Sequence, residues 1–341
     1  MMMSVAQGAH NTMRRLGSKM PPAVLRLLQN RFVYQPVIRQ KGLSLENPPL
    51  FDTVFFEVRT RCNGHCTFCA AAVETDIRPD VSMPAALHDK VLLELAATGF
   101  LGRVAYHNNS EPLLFRELPA FVARARELLP ASYIQILSNG RSLTLDKAEA
   151  LIKAGINELS INYYNDDFTR ELPKVFHDVA NVVLPKFFRA DQVHITGIGE
   201  DRQNPAARFR YQLTRRLENE KLDSRAGTAP NKRTPETGTR GFCQFPWTQM
   251  IVSADGRLPM CCADLNISES VGNASHQTVL EIWRGAPLQR IRRALWNGER
   301  ESISTCRQCD FYGVKKAPRT RIGRLVYAMT RRGTAVLEPR R

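Results

Sequence analysis

Between residues 51 and 200 the chain alternates between two hydrophobic periods. Apolar residues recur at every second position in TVFFEVRT (53–60), then at every third or fourth in SMPAALHDKVLLELAATG (82–99). The first period belongs to a strand and the second to one face of a helix. On this reading strands are predicted at 53–60, 103–108, 133–137, 158–164 and 192–198. Helices are predicted at 82–99, 116–129, 144–154 and roughly 167–187. In the first helix Ser82 is placed to cap, Leu87, Val91, Leu92 and Leu95 make a face, and Gly99 ends the last turn. Gly155 closes the helix that starts at Thr144. Strands separated by helices make right-handed βα units and a parallel sheet. The expected fold is therefore α/β: a partial parallel (β/α) barrel over 51–200, followed by a small C-terminal α+β domain over 242–312.

Residues 201–241 break the pattern. They begin like a polar helix and become rich in Pro, Gly and Thr, which predicts a linker or covering loop. In the second region QMIVSADGRLPMCC (249–262) reads as a hairpin turning at Asp255-Gly256. The flanks, 1–50 and 313–341, each carry an apolar stripe at helical spacing: Leu25, Leu28 and Phe32 in one, Ile322, Leu325, Val326 and Met329 in the other.

Charge changes the picture only at these flanks. The net charge is +15. Residues 1–45 hold seven cations (Arg14, Arg15, Lys19, Arg26, Arg31, Arg39, Lys41) and no acid, and 313–341 hold nine cations and one acid, Glu338. The centre is close to neutral, so the high pI describes two basic arms and not a basic groove. A basic amphipathic helix can lie on an anionic membrane surface or bind an acidic partner; alternatively its stripe packs on the core and its cations are solvated. Neither flank contains a nucleic-acid module, so nucleic acid is not an expected partner. No apolar run is long enough to span a bilayer, and the first residues lack the apolar core of a secretory signal. A cytoplasmic location is expected, peripheral to a membrane where the arms touch one.

The eight cysteines form two groups, Cys62, Cys66 and Cys69, then Cys243, Cys261, Cys262, Cys306 and Cys309, with 173 residues between them that contain none. Clustered thiols in a chain of this kind point to metal rather than to disulfides. The first group directly follows the first strand, at the sheet edge where α/β barrels place their chemistry. Three thiolates can hold three corners of a cubane [4Fe–4S] cluster and leave one iron open to a small molecule. Zinc would need a fourth ligand, and His65, inside the loop, is badly placed to share a metal with its neighbours.

The C-x3-C-x2-C spacing with Phe68 before the third cysteine resembles the radical S-adenosylmethionine (SAM) superfamily. The resemblance implies that Cys62, Cys66 and Cys69 hold a [4Fe–4S] cluster whose fourth position is completed by the amino and carboxylate groups of SAM. One electron then breaks a C–S bond, and the 5′-deoxyadenosyl radical takes a hydrogen atom from the substrate. A low-potential donor such as flavodoxin or ferredoxin would supply that electron. NNSEPLL (108–114) sits where the family carries a Gly-Gly-Glu-Pro-type motif for the SAM amino group; Asn109 and Ser110 replace the glycines, and Glu111-Pro112 matches. LSNG (137–140) sits where the family often has Thr-Asn-Gly, which makes Ser138 a SAM contact. Ser160 and Asn162 alternate off the fourth strand and are candidates for the ribose. The polar residues Glu57, Arg59, Tyr106, His107 and Asn162 are candidates to line a barrel and suit a hydroxylated ligand.

The second group, in GFCQFPWTQMIVSADGRLPMCCADL…CRQC, resembles the C-terminal extension called SPASM, or its shorter twitch form. These extensions carry auxiliary [4Fe–4S] clusters. Five cysteines suffice for one such cluster with a thiol left over, which fits the shorter form. The resemblance implies Cys243, Cys261, Cys306 and Cys309 as ligands, with Cys262 as the alternative to Cys261; a structural zinc site is the other use of the same residues. SRAG (224–227) resembles the connection ahead of such extensions, and its Arg225 is a candidate to reach substrate or to pair with an acid. The whole arrangement resembles the butirosin-biosynthesis dehydrogenase type. It implies oxidation of a small polar substrate, sugar-like or aminoglycoside-like, with the auxiliary cluster accepting an electron. Three alternatives remain open: a peptide- or protein-modifying enzyme of the same superfamily, a sugar epimerase in which Cys262 returns the hydrogen atom, and a zinc-bearing basic adaptor that is no enzyme.

Overall fold

The computed structural model describes residues 20–199, 201–232, 241–314 and 318–330. The described chain opens with helix α1 (Pro22–Gln29), a π-helical turn (Asn30–Tyr34) and α2 (Gln35–Gln40). Strands and helices then alternate through β1 (Thr53–Phe56), α3 (Ala85–Ala97), β2 (Arg103–Tyr106), α4 (Leu118–Leu128), β3 (Tyr133–Ser138), α5 (Leu145–Ala154), β4 (Glu158–Tyr164), α6 (Lys174–Asp178), β5 (Val193–Thr196) and β6 (Phe209–Arg216). After α7 (Phe245–Thr248) come β7 (Gln249–Val252), β8 (Arg257–Pro259), β9 (Ser270–Asn273), α8 (Val279–Arg284), α9 (Ala286–Trp296), α10 (Ser304–Arg307) and α11 (Arg321–Thr330).

Seven strands form one sheet in the order β5-β6-β4-β3-β2-β1-β7, and every pairing in it is parallel. The expected α/β sheet is present, with two strands more than predicted. One, β6, lies where a polar helix and linker were expected. Its Phe209, Tyr211 and Leu213 are buried at period two, and that alternation outweighs the polar residues between them. The other, β7, was expected to fold back on β8 as a hairpin. It pairs instead with β1, Val54 facing Met250 and Phe56 facing Val252, while β8 pairs antiparallel with β9. All four β7 residues are buried, as a strand of a helix-covered parallel sheet requires. The Asp255-Gly256 turn exists, with Gly256 at φ +84°, but it passes the chain from one sheet to the other.

Helix boundaries differ where proline intervenes. Ser82 does not cap α3: it bridges Arg59, and Pro84 takes the cap position. Leu87, Val91, Leu92 and Leu95 are buried as predicted. Thr144 does cap α5, accepting from the Lys147 amide at 3.2 Å, and Gly155 ends it in the left-handed region at φ +101°. The helix expected from 167 starts only after Pro173 and runs on through a π turn, Val179–Val183.

The chain divides into two compact units that cut across the linear segments. The first comprises Phe51–Glu220 and Gln249–Trp283; the second comprises the described residues up to Leu50, Lys221–Thr248 and those from Arg284 onward. In the first unit the sheet has an apolar face of Val54, Phe56, Val104, Ile134, Ile136, Leu159 and Ile161, all nearly solvent-free. Burying such a side chain stabilises by roughly 1.5–3 kcal/mol. Tyr106 belongs to this face: its hydroxyl donates to the Phe121 carbonyl at 3.0 Å and meets His88 Nε2 at 2.9 Å. It therefore faces helices α3 and α4 and does not line a barrel interior, contrary to expectation, because it sits one position out of phase with His107. The opposite face carries Phe55, His107, Gln135, Glu158, Ser160, Asn162, Gln212 and Thr214 by strand alternation.

The second unit has an aromatic core. Tyr34 packs on Phe242 at 5.7 Å and on Tyr312 at 6.0 Å, and Trp247 packs on Phe242 and Trp296. Residues 22–40 do not stand apart as an arm, since Leu25, Val33, Tyr34, Val37 and Ile38 are buried. Helix α11 approaches the π turn closely: a Cβ at Gly323 would lie 2.7 Å from the Phe32 carbonyl oxygen. Val326 is buried and Met329 half-buried, whereas Ile322 and Leu325 are exposed. Arg14, Arg15, Lys19, Glu338 and the cations at 315, 316 and 331–341 lie outside the described residues. No helix of the described residues is long and apolar enough to cross a membrane.

Candidate active site

The loop that leaves β1 is clamped at its base. Arg78, with only 11% side-chain exposure, donates to Glu57 at 2.9 Å, to Asp76 at 3.0 Å and to the carbonyls of Thr60 and Asn109 at 3.3 and 2.7 Å. Glu57 also accepts from Ser253 Oγ at 3.0 Å. Arg59 is held by Asp80 and by the Leu114 carbonyl. Glu57 and Arg59 thus brace the loop, and of the five polar residues expected to line an interior, His107 and Asn162 remain.

Cys62, Cys66 and Cys69 follow on this braced loop and form no disulfide. Cys62 Sγ accepts from the Gly64 amide at 3.3 Å and faces Asn139 Nδ2 at 3.6 Å. The Cys69 amide donates to the Cys66 carbonyl at 3.0 Å. Burial pushes the Cys66 thiol up to about 12, with the charges of Cys69 and Cys62 adding to the rise, and Cys62 up to about 11. Such thiols ionise when a metal replaces the proton. His65 points to the surface and is bonded to Glu74, which removes it as a fourth ligand. Among the described residues no three His, Cys, Asp or Glu side chains converge on one ion; in a cubane each thiolate binds a different iron. Phe68 is buried against Tyr164, ring centroids 5.7 Å apart.

Glu111, 2% exposed, ties the ends of β2 and β3 together. Its Oε1 accepts from Ser138 Oγ at 2.7 Å and the Leu113 amide at 3.0 Å, and its Oε2 from the Asn139 amide at 2.7 Å. Burial raises its pKa, and those donors together with Lys147 pull it back. Ser138 Oγ accepts in turn from the Gly140 amide at 2.9 Å. Asn139 reaches both Asn63, at 2.8 Å, and Cys62. Sequence reasoning took Ser138 from the SNG motif and missed Asn139, the residue of that motif that touches a cysteine. The structure brings Cys62, Cys66, Cys69, Phe68, Ser110, Glu111 and Ser138 to one sheet edge. Ser160 and Asn162 stand on the polar sheet face instead. The Ser160 hydroxyl donates to Glu158, whose carboxylate also accepts from Tyr133 Oη at 2.7 Å and Gln135 Nε2 at 2.6 Å.

The residues of the second cysteine group are divided by this partition of the chain. Cys243, Cys306 and Cys309 are buried in the second unit, where the Cys309 amide donates to the Cys306 carbonyl at 3.2 Å. Burial pushes the Cys306 thiol up to about 12, against the opposing pull of Arg300. Ser224, beside Arg225 in the SRAG turn, donates to the Gln308 carbonyl at 2.6 Å. Cys261, buried, and Cys262, half-buried, belong to the first unit. The Cys262 carbonyl accepts from Asn109 Nδ2 at 3.3 Å, and its thiol lies 3.7 Å from Gln249 Nε2.

Two family models match this chain: the radical SAM superfamily over residues 56–179 and the SPASM iron–sulfur cluster-binding domain over 243–310. The chain is a radical SAM enzyme. Radical SAM chemistry brings a SAM-binding [4Fe–4S] cluster and S-adenosylmethionine, and the SPASM match, which spans all five remaining cysteines, brings auxiliary iron–sulfur. This radical SAM enzyme is 23% identical over 267 residues to the S-adenosyl-L-methionine-dependent 2-deoxy-scyllo-inosamine dehydrogenase of Niallia circulans, covering 78% of this chain and 95% of that one. It is 26% identical over 125 residues to the PqqA peptide cyclase of Granulibacter bethesdensis, covering 37% and 32%. Its fold matches the crystal structure of BtrN in complex with AdoMet and 2-DOIA at a TM-score of 0.61, with 23% identity over 79% of this chain and 97% of that one. The zinc-bearing adaptor is thereby set aside. The residues fit the cofactor: the Ser110 hydroxyl is buried at the motif position without a hydrogen-bond partner, next in the chain to the fixed carboxylate of Glu111.

Proposed function

We propose that this radical SAM enzyme oxidises a small polar substrate, sugar-like or aminoglycoside-like, at a secondary alcohol. The observation that carries this reading is the polar sheet face. Glu158, braced by Tyr133, Gln135 and Ser160, forms its base, and His107, Asn162 and Thr214 stand closer to the cysteine loop. Such a lining offers hydrogen bonds to hydroxyl and amino groups and little to an apolar ligand. The Niallia circulans relative, named as a dehydrogenase of 2-deoxy-scyllo-inosamine, supports the same class.

In this reading Cys62, Cys66 and Cys69 anchor the first cluster, and the Gly64 and Asn139 N–H groups stabilise the Cys62 thiolate. Ser110 and the backbone around Asn109 receive the amino-acid end of SAM, with Glu111 and Ser138 holding that edge in place. Phe68 and Tyr164 exclude water from the cysteine loop. Ser160 and Asn162 are the proposed ribose side. SAM bound there supplies the hydrogen-abstracting radical. Cys243, Cys261, Cys306 and Cys309 hold one auxiliary [4Fe–4S] cluster of the twitch kind, which supplies an electron acceptor. A flavodoxin or ferredoxin serves as external donor in the cytoplasm. The remaining proposed partner is an anionic membrane surface, met by Arg26, Arg31, Arg319, Arg321 and Arg324 around the exposed Leu27, Ile322 and Leu325.

The test is turnover of reduced holoenzyme with SAM and a panel of amino-polyols and sugars. Oxidation gives a carbonyl product two mass units lighter with one deoxyadenosine per turnover; activity on peptides alone overturns the proposal. A second reading is favoured by the half-buried Cys262 thiol beside Gln249, on the first unit's strand β7. A thiol there can return a hydrogen atom from the opposite face, which is epimerisation. It predicts deuterium in the product after turnover in heavy water, lost in Cys262→Ala.

A further inference from the structure

Arg300 opens the short turn Arg300–Ser302 of the second unit and is 1% exposed. Its Nη1 donates to the Phe311 carbonyl at 2.7 Å and its Nη2 to Cys309 Sγ at 3.3 Å, while its Nε has no partner. Among the described residues no carboxylate pairs with it. A guanidinium so deeply buried without a counter-charge carries a desolvation penalty that its two hydrogen bonds do not offset. The ionisable groups that act on it most strongly are Cys309, Cys243, Cys306 and Tyr34. As neutral thiols and a phenol they offer no compensating charge. A [4Fe–4S] cluster ligated by thiolates is anionic, and it becomes more so by one charge when reduced.

We propose that Arg300 is the fixed counter-cation of the auxiliary cluster: a positioning residue that holds the Cys309 thiolate and raises the cluster's reduction potential. The proposal rests on the reading of Cys243, Cys306 and Cys309 as ligands of that cluster. A buried cation stabilises the reduced form more than the oxidised one, because the reduced form carries the extra negative charge. That is the direction an electron acceptor needs. The planar fork also fixes geometry, since one guanidinium edge spans the Phe311 carbonyl and the Cys309 sulfur, two residues apart in the chain.

The experiment is an EPR-monitored redox titration of the full-length holoenzyme, in which the auxiliary signal is the one that SAM leaves unshifted. In Arg300→Met the reduced-to-oxidised ratio of that signal at a fixed potential falls at least tenfold, which is about 59 mV for a one-electron couple. Arg300→Lys keeps the charge and recovers part of the shift. Equal potentials in wild type, Arg300→Met and Arg300→Lys overturn the proposal. Should Arg300→Met fail to fold, wild-type protein labelled with 15N-arginine decides. Hyperfine coupling of a guanidinium nitrogen to the reduced auxiliary cluster supports the assignment, and its absence overturns it. Iron and sulfide analysis separates the two levels. One cluster per wild-type chain removes the auxiliary-cluster reading itself, whereas two clusters with an unmoved potential remove only the role of Arg300.

Discussion

Beside Cys62 the charged neighbour is a buried carboxylate, Glu111; beside Cys306 it is a buried guanidinium, Arg300. The first thiolate loop receives neutral N–H donors from Gly64 and Asn139, and two of its three cysteines are half-exposed. Cys243, Cys306 and Cys309 are all buried, with a cation among them. Adding an electron next to a carboxylate is harder than adding one next to a guanidinium. On the proposed function this difference sorts the two clusters into donor and acceptor. The first stays a strong reductant with a position open for a small molecule, and the second is shut and poised to receive.

The largest effect should come from the first site. Replacing Cys62, Cys66 or Cys69 by Ala is expected to abolish deoxyadenosine formation, measured chromatographically after reduction with dithionite. Continued SAM cleavage in the triple variant would break the comparison at its root. Next comes the second site. Cys306→Ala or Cys309→Ala should lower iron from about eight to about four per chain while SAM cleavage survives in part and product formation falls. Unchanged iron content would show that these two cysteines are not ligands.

A smaller effect is expected at Glu111. Glu111→Gln replaces an acceptor that takes three donors by a group that must turn an NH₂ toward one of them. The expected cost is about 1–3 kcal/mol in denaturant unfolding, with weaker SAM binding by calorimetry. Wild-type stability and affinity would mean that the tie between β2 and β3 does not hold the cradle.

The smallest effect at neutral pH is expected at His88, whose contribution shows in acid. His88 lies between Phe121 and Tyr106, and burial depresses its pKa to about 3 from an unfolded value of 6.5. A depressed pKa means the fold excludes the proton. The stability it reflects is fully present above pH 6.5 and is lost progressively as the pH falls toward about 3. His88→Leu should flatten that acid limb of the unfolding curve and cost only about 1 kcal/mol at neutral pH, for the lost Tyr106 hydrogen bond. An unaltered acid limb would place the sensitive group elsewhere.

Much of the first unit was legible because its signals are local. The strands up to β5 carry their own period, and the cysteine spacing lies within eight residues. What stayed hidden depends on distant partners. In β6 the arginines at 210, 215 and 216 mask the alternation of Phe209, Tyr211 and Leu213, which becomes apolar burial only once β4 and β5 flank it. In β7 the apolar run is visible, but nothing local says that it pairs with β1 and not with β8. For the N-terminal stripe, packing on the core is only one of two readings the sequence offers, because the aromatic core that receives Tyr34 is assembled from Phe242 and Tyr312, far along the chain. Arg300 sits in the polar run GERES and shows no pattern at all; only burial reveals it.

The late arrival of β7 has a cost during synthesis. Its partner β1 leaves the ribosome with one side open, and the missing neighbour is encoded from Gln249 onward. At about 5–20 residues per second, the stretch between Phe56 and Gln249 takes roughly 10–40 s to make. For that interval Val54 and Phe56 stand on a bare strand edge, the kind of template on which nascent chains pair with one another. A chain stopped before residue 249 never leaves that state. The nascent polypeptide thus carries an open strand edge for tens of seconds, and slow translation at low temperature would lengthen its exposure to aggregation.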